Sequence, residues 1–215
     1  MNYELQKKFF KTAYTTGSDT WSTISKDSDI ESFLGILPKS ALLLDLGSGR
    51  GRLAFSIAKM GFRIIGLDYI EDINEKNNKE AKEEGLEGKL KFFSGDALDI
   101  PFTRESFDGA IDISLMNHLT DEDHDKYLSE VNRVLKTGGH FLLFVLSKET
   151  AKYLNHFPSQ EEGNHFEFHD THYHFFTKSD LEKMLSKYFE IIDYKSLPSL
   201  GQEKATFHRF VLKKI

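Results

Sequence analysis

The run Leu42-Leu43-Leu44-Asp45-Leu46-Gly47-Ser48-Gly49-Arg50-Gly51 decides the fold of this 215-residue chain. Its apolar half is typical of a short buried strand, and the pattern Leu53-Ala54-Ile57-Ala58 that follows is typical of a helix. Glycine at every second position between them lets backbone N–H groups and the helix N-terminus approach a ligand closely. The run therefore predicts a strand-loop-helix unit with a ligand at its glycine loop.

A second predicted strand, Arg63-Ile64-Ile65-Gly66-Leu67, ends in Asp68 and completes a βαβ unit. An acid in this place binds a ribose in nucleotide-binding folds, so the unit predicts a nucleoside site. NAD is one candidate, but its fingerprint would place the third glycine at Arg52, where a bulky side chain obstructs pyrophosphate packing. A glycine loop without any ligand is also disfavoured, because glycines are costly in a folded chain when nothing uses them.

Composition limits the class of protein and of partner. The chain carries 28 Lys and Arg against 34 Asp and Glu, a net charge of −6, which disfavours nucleic acid as a partner. It has no cysteine, which excludes disulfides, thiolate metal sites and cysteine nucleophiles. The N-terminus has no apolar signal segment and no run is long enough to span a bilayer, so we expect a cytoplasmic protein with no membrane partner.

The order of predicted elements indicates one α/β domain. Five strand-helix repeats between Ala41 and Leu146 predict a parallel sheet with right-handed crossovers. A last helix and two strands, joined by a loop too short for a crossover helix, predict a closing hairpin. We therefore expect a doubly wound, Rossmann-like sheet of seven mostly parallel strands, with the last strand antiparallel and helices on both faces.

These motifs resemble those of the class I S-adenosylmethionine-dependent methyltransferases, most of all their small-molecule branch. The resemblance covers residues 40–146, and the closing helix and hairpin also fit the family. Each motif alone is weak evidence for this family, but five of them in the expected order and at fitting separations are a specific signal. They are Asp45-Leu46-Gly47-Ser48-Gly49-Arg50-Gly51, Asp68, Gly95-Asp96-Ala97, Phe107-Asp108 and Leu135-Lys136-Thr137-Gly138-Gly139.

The resemblance implies a site for the methionine part of S-adenosylmethionine around the first strand. Three glycines would shape the loop there: Gly47, Gly49 and Gly51. Asp45 would hold that loop and reach the amino end of the cofactor, directly or through water. Backbone carbonyls near Asp112 and Ile113 would face the methionine ammonium.

The resemblance places the nucleoside part at the ends of the next two strands. Asp68 would accept hydrogen bonds from both ribose hydroxyls, and Tyr69 would pack beside the adenine. Asp96 would bind the adenine amino group, and the N–H of Ala97 would meet a ring nitrogen. The acids also suit the ligand electrostatically, because S-adenosylmethionine carries a sulfonium and an ammonium but no phosphate.

Asn117 and His118 follow the fourth predicted strand, at the carboxyl edge where α/β sheets bind ligands. His118 is a candidate general base that removes a proton from the O–H or N–H of an acceptor. Alternatively, His118 is a helix-start residue that is hydrogen-bonded to backbone and takes no proton. Alignment of the acceptor alone can then suffice for methyl transfer.

The segment from His165 to Phe176 is unusually rich in His and Phe. In an extended chain His165, Glu167 and His169 share one face, and His172 and His174 share another. A turn at Asp170-Thr171 could bring the two faces together as a His/carboxylate metal site. The spacing fits no dedicated zinc pattern, so we assign no metal to the chain. We favour a flap that lines the acceptor pocket, because insertions of this kind commonly carry specificity. The candidate acceptor residues are Tyr14, Trp21, Asn117, His169, His172 and His174.

We therefore expect transfer of a methyl group from S-adenosylmethionine to a small molecule, with release of S-adenosylhomocysteine. Two alternatives stay open: a non-enzymatic, regulatory S-adenosylmethionine-binding protein, and a methyltransferase acting on a protein side chain or, against the acidic balance, on tRNA. An aromatic cavity lined from 116–118 and 165–176 would favour the small-molecule enzyme. The expected segments are a helical lid at 1–37, a cofactor-binding core at 38–146, an acceptor-side insertion at 147–176 and a closing helix and hairpin at 177–215.

Overall fold

A computed structural model describes residues 3–18, 27–150, 165–168, 170–198 and 205–215. The strands of this part of the chain are β1 (Leu42–Leu46), β2 (Arg63–Asp68), β3 (Leu90–Ser94), β4 (Phe107–Ile113), β5 (Leu135–Leu146), β6 (His165–Phe168), β7 (Thr171–His174), β8 (Phe189–Pro198) and β9 (Thr206–Lys214). Its α-helices are α1 (Tyr3–Thr16), α2 (Asp27–Gly35), α3 (Arg52–Lys59), α4 (Glu71–Glu83), α5 (Asp121–Val134) and α6 (Lys178–Leu185).

Seven of these strands form one sheet in the order β3-β2-β1-β4-β5-β9-β8. The pairs from β3 to β5 are parallel, and β9 runs antiparallel between β5 and β8. This confirms the predicted fold class, including the closing hairpin with its antiparallel last strand. The strand order reverses beside β1, which has β2 on one side and β4 on the other. Sheets of this kind bind ligands at the carboxyl ends of the strands that flank such a reversal.

Helices cover both faces of the sheet and bury two apolar layers. On one face, α5 and α6 contribute Tyr127, Leu128, Leu181 and Leu185 to a core that includes Leu44 and Phe141. On the other face, α2, α3 and α4 pack against β1 and its neighbours. The buried side chains they supply are Ile30, Phe33, Leu34, Ala54, Phe55, Ile57, Ala58 and Ala81. Because α2 belongs to this layer, α1 is the part of the predicted 1–37 lid segment, among its described residues, that lies over the carboxyl edge of the sheet.

Two details of the chain path depart from regular strand-helix alternation. Helix α5 ends at Val134, because Leu135 pairs with Phe107 and begins β5. The connection between β3 and β4 consists of turns and an isolated bridge from Asp96 to Asp99, so the third of the five predicted strand-helix repeats lacks its helix.

Helix α1 is fastened across the carboxyl edge of the sheet by polar side chains. The Tyr3 hydroxyl donates to Asp123 at 2.7 Å and accepts from the N–H of Thr120 at 3.1 Å. Gln6 is buried and bridges two segments, with its Nε2 donating to the carbonyl of His118 at 3.1 Å and its Oε1 accepting from the N–H of His172 at 3.0 Å. These bonds hold α1 against both α5 and the β6–β7 hairpin.

The insertion after β5 contains the two-stranded hairpin β6–β7, in which His165 pairs with His174 and Phe168 with Thr171. It packs near the carboxyl edge of the main sheet, because the N–H and carbonyl of Phe176 bond to Leu146 and Lys148 at the end of β5. A bilayer-spanning helix is not found among the described residues.

Candidate active site

The glycine loop between β1 and α3 folds as its residue types require. Gly47, Gly49 and Gly51 have φ values of 69°, 48° and 72°, in the left-handed region that favours glycine. The N–H of Gly49 donates to Asp68 Oδ2 at 2.9 Å, and its carbonyl accepts from Asn77 Nδ2 at 2.8 Å. The loop is therefore tied to the end of β2 and to α4 by polar groups.

Close packing adds a second reason for glycine at position 51. A Cβ on Gly51 would lie 2.6 Å from Phe92 Cζ, whereas a Cβ on Gly85, which has nearly the same φ of 70°, would meet nothing within 4 Å. We expect Gly85→Ala to lower the free energy of unfolding by about 1–2 kcal/mol through backbone strain alone. Gly51→Ala should lower it by about 1–3 kcal/mol more through overpacking. Thermal denaturation of both variants measures the difference, and equal losses would contradict the packing argument.

A cavity of about 750 Å³ opens at the carboxyl ends of β1, β2, β3 and β4. Small-molecule sites usually measure ~300–1,000 Å³, so this cavity is large enough for two small molecules side by side. The predicted ligand residues that line it are Tyr14, Gly47, Asp68, Tyr69, Asp96, Ala97, Ile113 and His118. The structure thus brings the ends of four strands, α1 and the segment after β4 into one site.

Three buried carboxyl groups give the cavity its electrostatic character. Burial, together with the nearby Asp112 and Asp68, raises the pKa of Asp45 to about 8. Burial raises the pKa of Asp68 to about 6, against the lowering effect of the N–H groups of Gly49 and Ile70. The pKa of Asp112 is raised to about 7, again by burial. A ligand that brings positive charge would stabilise the ionised form of these groups.

The cofactor expected from the sequence fits this donor and acceptor set. Asp45 Oδ2 and Ser48 Oγ are buried and have no hydrogen-bond partner within the described residues, so both can accept from or donate to a ligand at the loop. An ammonium with three donors suits the Asp45 carboxylate, and the loop offers no Lys for a phosphate. Asp45 lies under the loop, while Gly47 lines the cavity itself.

The raised pKa of Asp45 predicts in which direction the free energy of unfolding changes with pH. An unfolded aspartate titrates near ~3.9, so between about pH 4 and pH 8 the folded chain keeps a proton that the unfolded chain releases. Stability contributed by this group is therefore lost as the pH rises towards 8. We expect Asp45→Asn to raise the free energy of unfolding at pH 8 by at least about 1 kcal/mol, or ~2–4 °C in Tm.

The same substitution should weaken S-adenosylmethionine binding, because a neutral amide cannot pair with an ammonium. For the stability measurement, the matched control is Asp96→Asn. It changes an exposed acid of the same cavity and should leave Tm at pH 8 unchanged. Equal Tm values for Asp45→Asn and wild-type protein at pH 8 would contradict the buried-acid account.

The nucleoside end of the cavity is formed by the ends of β2 and β3. Asp68 Oδ1 accepts from the N–H of Ile70 at 3.0 Å, which fixes the carboxylate facing the cavity. Asp96 Oδ1 accepts from the N–H of Leu98 at 2.8 Å, and Ala97 lines the wall beside it. Tyr69 forms the edge of the same wall. These four predicted residues lie together as the family resemblance implies.

Asp112 lies beneath the cavity wall and supports it. Its carboxylate accepts from the N–H groups of Leu115 and Met116, at 2.7 and 3.1 Å, and from the hydroxyl of Tyr127 at 2.7 Å. The neighbouring Ile113 lines the cavity. The side chain of Asp112 is thus committed to shaping the turn after β4, and it acts on a ligand through the charge it adds under the site.

The acceptor side of the cavity is aromatic. Strand β7 contributes Tyr173, the first residue after this strand contributes the ring of Phe175, and α1 contributes Phe10. The ring of His118 packs edge-on between Phe10 and Tyr173, with centroids 4.9 Å from each. Helix α1 and the hairpin therefore enclose the region next to His118 with apolar surface.

His118 is held with a defined tautomer. Its Nδ1 lies 2.8 Å from the backbone carbonyl of His172, and because a carbonyl can only accept, Nδ1 carries the proton. Nε2 is then the unprotonated nitrogen of a residue that lines the cavity. Burial lowers the pKa of His118 to about 4, so the ring is neutral at pH 7.

Three other predicted acceptor residues lie behind the cavity wall. Asn117 is fully buried, its Nδ2 donates to the carbonyl of His174 at 2.7 Å and its Oδ1 accepts from the N–H of Leu146 at 3.2 Å. His172 and His174 point away from the cavity because alternate residues of a strand face opposite sides, and Tyr173 takes the inner side. The predictions for Trp21 and His169 fall outside the described residues.

Sequence reasoning missed several residues that form the site. Gln6 and Phe10 could have been suspected from their places on the buried stripe of α1, although nothing in the sequence links them to His118. Tyr173 and Phe175 follow from the alternation of β7, once the direction in which the hairpin faces is known. Phe207 of β9 completes the wall.

Comparisons with known proteins find methyltransferases. Residues 43–139 match the family described as a methyltransferase domain. A sarcosine/dimethylglycine N-methyltransferase of Aphanothece halophytica is 35% identical over 106 residues, which are 49% of this chain and 38% of that protein. A tRNA (carboxymethyluridine(34)-5-O)-methyltransferase of Arabidopsis thaliana is 30% identical over 149 residues, which are 68% of this chain and 34% of that protein. The chain thus spans well under half of the length of these relatives.

The fold has a solved counterpart over nearly its whole length. The crystal structure of the 1,6-didemethyltoxoflavin-N1-methyltransferase of Burkholderia thailandensis, with its substrate and S-adenosylhomocysteine bound, superposes with a TM-score of 0.80. The match covers 99% of this chain and 88% of that one at 21% sequence identity, which establishes the shared fold. Together with the glycine loop and the acids at the strand ends, the matched methyltransferase domain supports a class I S-adenosylmethionine-dependent methyltransferase.

Proposed function

We propose that the cavity binds S-adenosylmethionine across the ends of β1, β2 and β3. The observation that carries this proposal is the buried Oδ2 of Asp45 under a glycine loop, which has no hydrogen-bond partner in the described part of the chain and lies beside the carboxylates of Asp68 and Asp112. Such a set attracts a cationic ligand. Asp68 would accept from the ribose hydroxyls, and Asp96 with the N–H of Ala97 would bind the adenine.

The reaction we propose is transfer of a methyl group to a small molecule held against the aromatic wall. When bound, S-adenosylmethionine supplies an electrophilic methyl group on a sulfonium centre. Phe10, Tyr173 and Phe175 would orient the acceptor and exclude water from it. His118 would take the acceptor's proton at Nε2, the ring nitrogen that the bond to His172 leaves unprotonated.

Enclosure of the acceptor side favours a small molecule over a macromolecule. Helix α1 covers the cavity and is bonded through Gln6 to both His118 and His172. A protein side chain or a tRNA would need a broad open groove in this place. The net charge of −6 also disfavours tRNA as a substrate, although one relative acts on tRNA. The cytoplasmic location expected from the sequence is part of this proposal.

A non-enzymatic S-adenosylmethionine-binding protein is the second candidate function. It would use the same cofactor residues and would need no space beside them. The presence of an aromatic wall with His118 in the same cavity favours the enzyme, because a sensor has no use for a second enclosed ligand region.

The proposal is tested by an acceptor screen. Protein is incubated with S-adenosylmethionine and a panel of small amines, phenols, thiols and carboxylic acids, and S-adenosylhomocysteine release is measured. We expect at least one class to raise release well above that of protein without acceptor, and the increase to disappear in Asp68→Ala. Tight binding of S-adenosylmethionine without release for any class would favour the non-enzymatic function.

A further inference from the structure

The back of the acceptor wall carries a cluster that the proposed reaction does not use. On strand β7, Tyr173 faces the cavity, while His172 and His174 are buried on the opposite side, next to the start of α5. There they meet Asp121, the first residue of that helix. One ligand atom of each of the three side chains lies within 4.8 Å of the others. His174 Nδ1 lies 2.7 Å from Asp121 Oδ1.

We propose that Asp121, His172 and His174 form a binding site for a divalent transition metal, with Zn²⁺ as the ion that fits best. Two imidazole nitrogens and one carboxylate oxygen are a common ligand set for zinc that keeps a fourth position for water. The Asp121 side chain is 61% exposed, so solvent reaches that position. The two histidines, in contrast, are buried and supply the fixed part of the site.

The distances allow such an ion with small side-chain movements. Ligand atoms ~2.0–2.2 Å from a tetrahedral zinc ion are about 3.4 Å from one another. The contact of 2.7 Å between His174 and Asp121 must open by about 0.7 Å to reach that spacing, and the widest separation, at most 4.8 Å, must close. The exposed Asp121, in the first turn of α5, is the side chain that can make this adjustment.

The backbone of β7 already holds both histidines in place. The carbonyl of His174 accepts from Asn117 Nδ2 at 2.7 Å, and the carbonyl of His172 accepts from His118 Nδ1 at 2.8 Å. His124 of α5 packs edge-on to His174 at 4.9 Å, and its Nε2 lies 3.2 Å from the carbonyl of Met116. Ligands fixed in this way lose little conformational freedom when an ion binds.

Binding of an ion here would join the β6–β7 hairpin to α5. The inner face of the same strand presents Tyr173 to the cavity, and the same His172 carbonyl sets the tautomer of His118. The metal would therefore act as a positioning element of the acceptor wall. It lies behind the wall, so we assign it no contact with the acceptor or the cofactor.

The test uses zinc alone on untagged, full-length protein that has been dialysed against a chelator. Calorimetric titration with ZnCl₂ should give one ion per chain and should raise Tm. His172→Ala and His174→Ala should each weaken zinc binding by about 100-fold or more, above the ~10–100-fold typical of losing an outer-shell partner. Each variant should keep its affinity for S-adenosylmethionine within about threefold, which shows that it folds.

His140→Ala is the matched control, because it removes a partly buried imidazole on β5 that lies outside the cluster. It should bind zinc as wild-type protein does. If the alanine variants fail to fold, Asp121→Asn changes only an exposed side chain and should weaken zinc binding at least about tenfold. No zinc binding by the wild-type chain, or binding that survives the loss of these ligands, overturns the proposal.

Discussion

Replacing Asp68 by alanine is expected to weaken S-adenosylmethionine binding by about 100-fold or more. The carboxylate accepts from the N–H groups of Gly49 and Ile70 and faces the cavity, so its loss removes ribose acceptors and also frees the glycine loop. Hydrogen bonds to a charged group contribute ~1.5–3 kcal/mol each, and two of them amount to at least two orders of magnitude in Kd. Equilibrium titration of the variant with S-adenosylmethionine measures the loss.

The matched control for this experiment is Glu80→Ala, which removes an exposed acid on α4. It changes the net charge by the same amount and should leave the affinity unchanged. Circular dichroism of both variants checks that the sheet and helices are retained. Unchanged affinity in Asp68→Ala would show that the ribose is bound elsewhere.

The second large effect is expected at His118. His118→Asn keeps an amide N–H that can donate to the carbonyl of His172 but offers no basic nitrogen to the acceptor. With an acceptor found by the screen, kcat should fall by ~10²–10⁴-fold, the usual contribution of a general base. Affinity for S-adenosylmethionine should stay within about threefold, because His118 lies on the acceptor side.

The control for His118 is His140→Asn, which makes the same change on β5 away from the cavity. A variant at His118 that keeps its kcat would mean that alignment of the acceptor alone drives transfer. That outcome would remove the base from the proposed reaction and leave the cofactor site untouched.

Local sequence patterns predicted the part of the site that one βαβ unit builds. The strand ending at Leu46, the glycine loop and the acid at the end of β2 interact within 30 residues, so spacing and residue type suffice to place them. The acids at 68 and 96 fall at the ends of neighbouring parallel strands for the same reason. Their pKa values could not be predicted, because burial depends on the packed structure.

The acceptor side could be predicted only in part, because it is assembled from distant segments. The sequence indicates that His172 and His174 share a face of a strand, but the direction in which that face points depends on how the hairpin packs. The bridge from Gln6 to His172 joins residues 166 positions apart, and no local pattern indicates it. The same packing turned two predicted pocket residues into the cluster proposed to bind zinc.

The most direct test of the account is calorimetric titration of the wild-type protein with S-adenosylmethionine and, separately, with NADH at pH 7. We expect S-adenosylmethionine to bind one molecule per chain, with release of protons as Asp45 ionises, so that the observed heat differs between buffers of different ionisation enthalpy. NADH should give no binding heat, because Arg52 follows the third glycine where a dinucleotide needs close packing. Binding of NADH, or no binding of S-adenosylmethionine, would contradict the account.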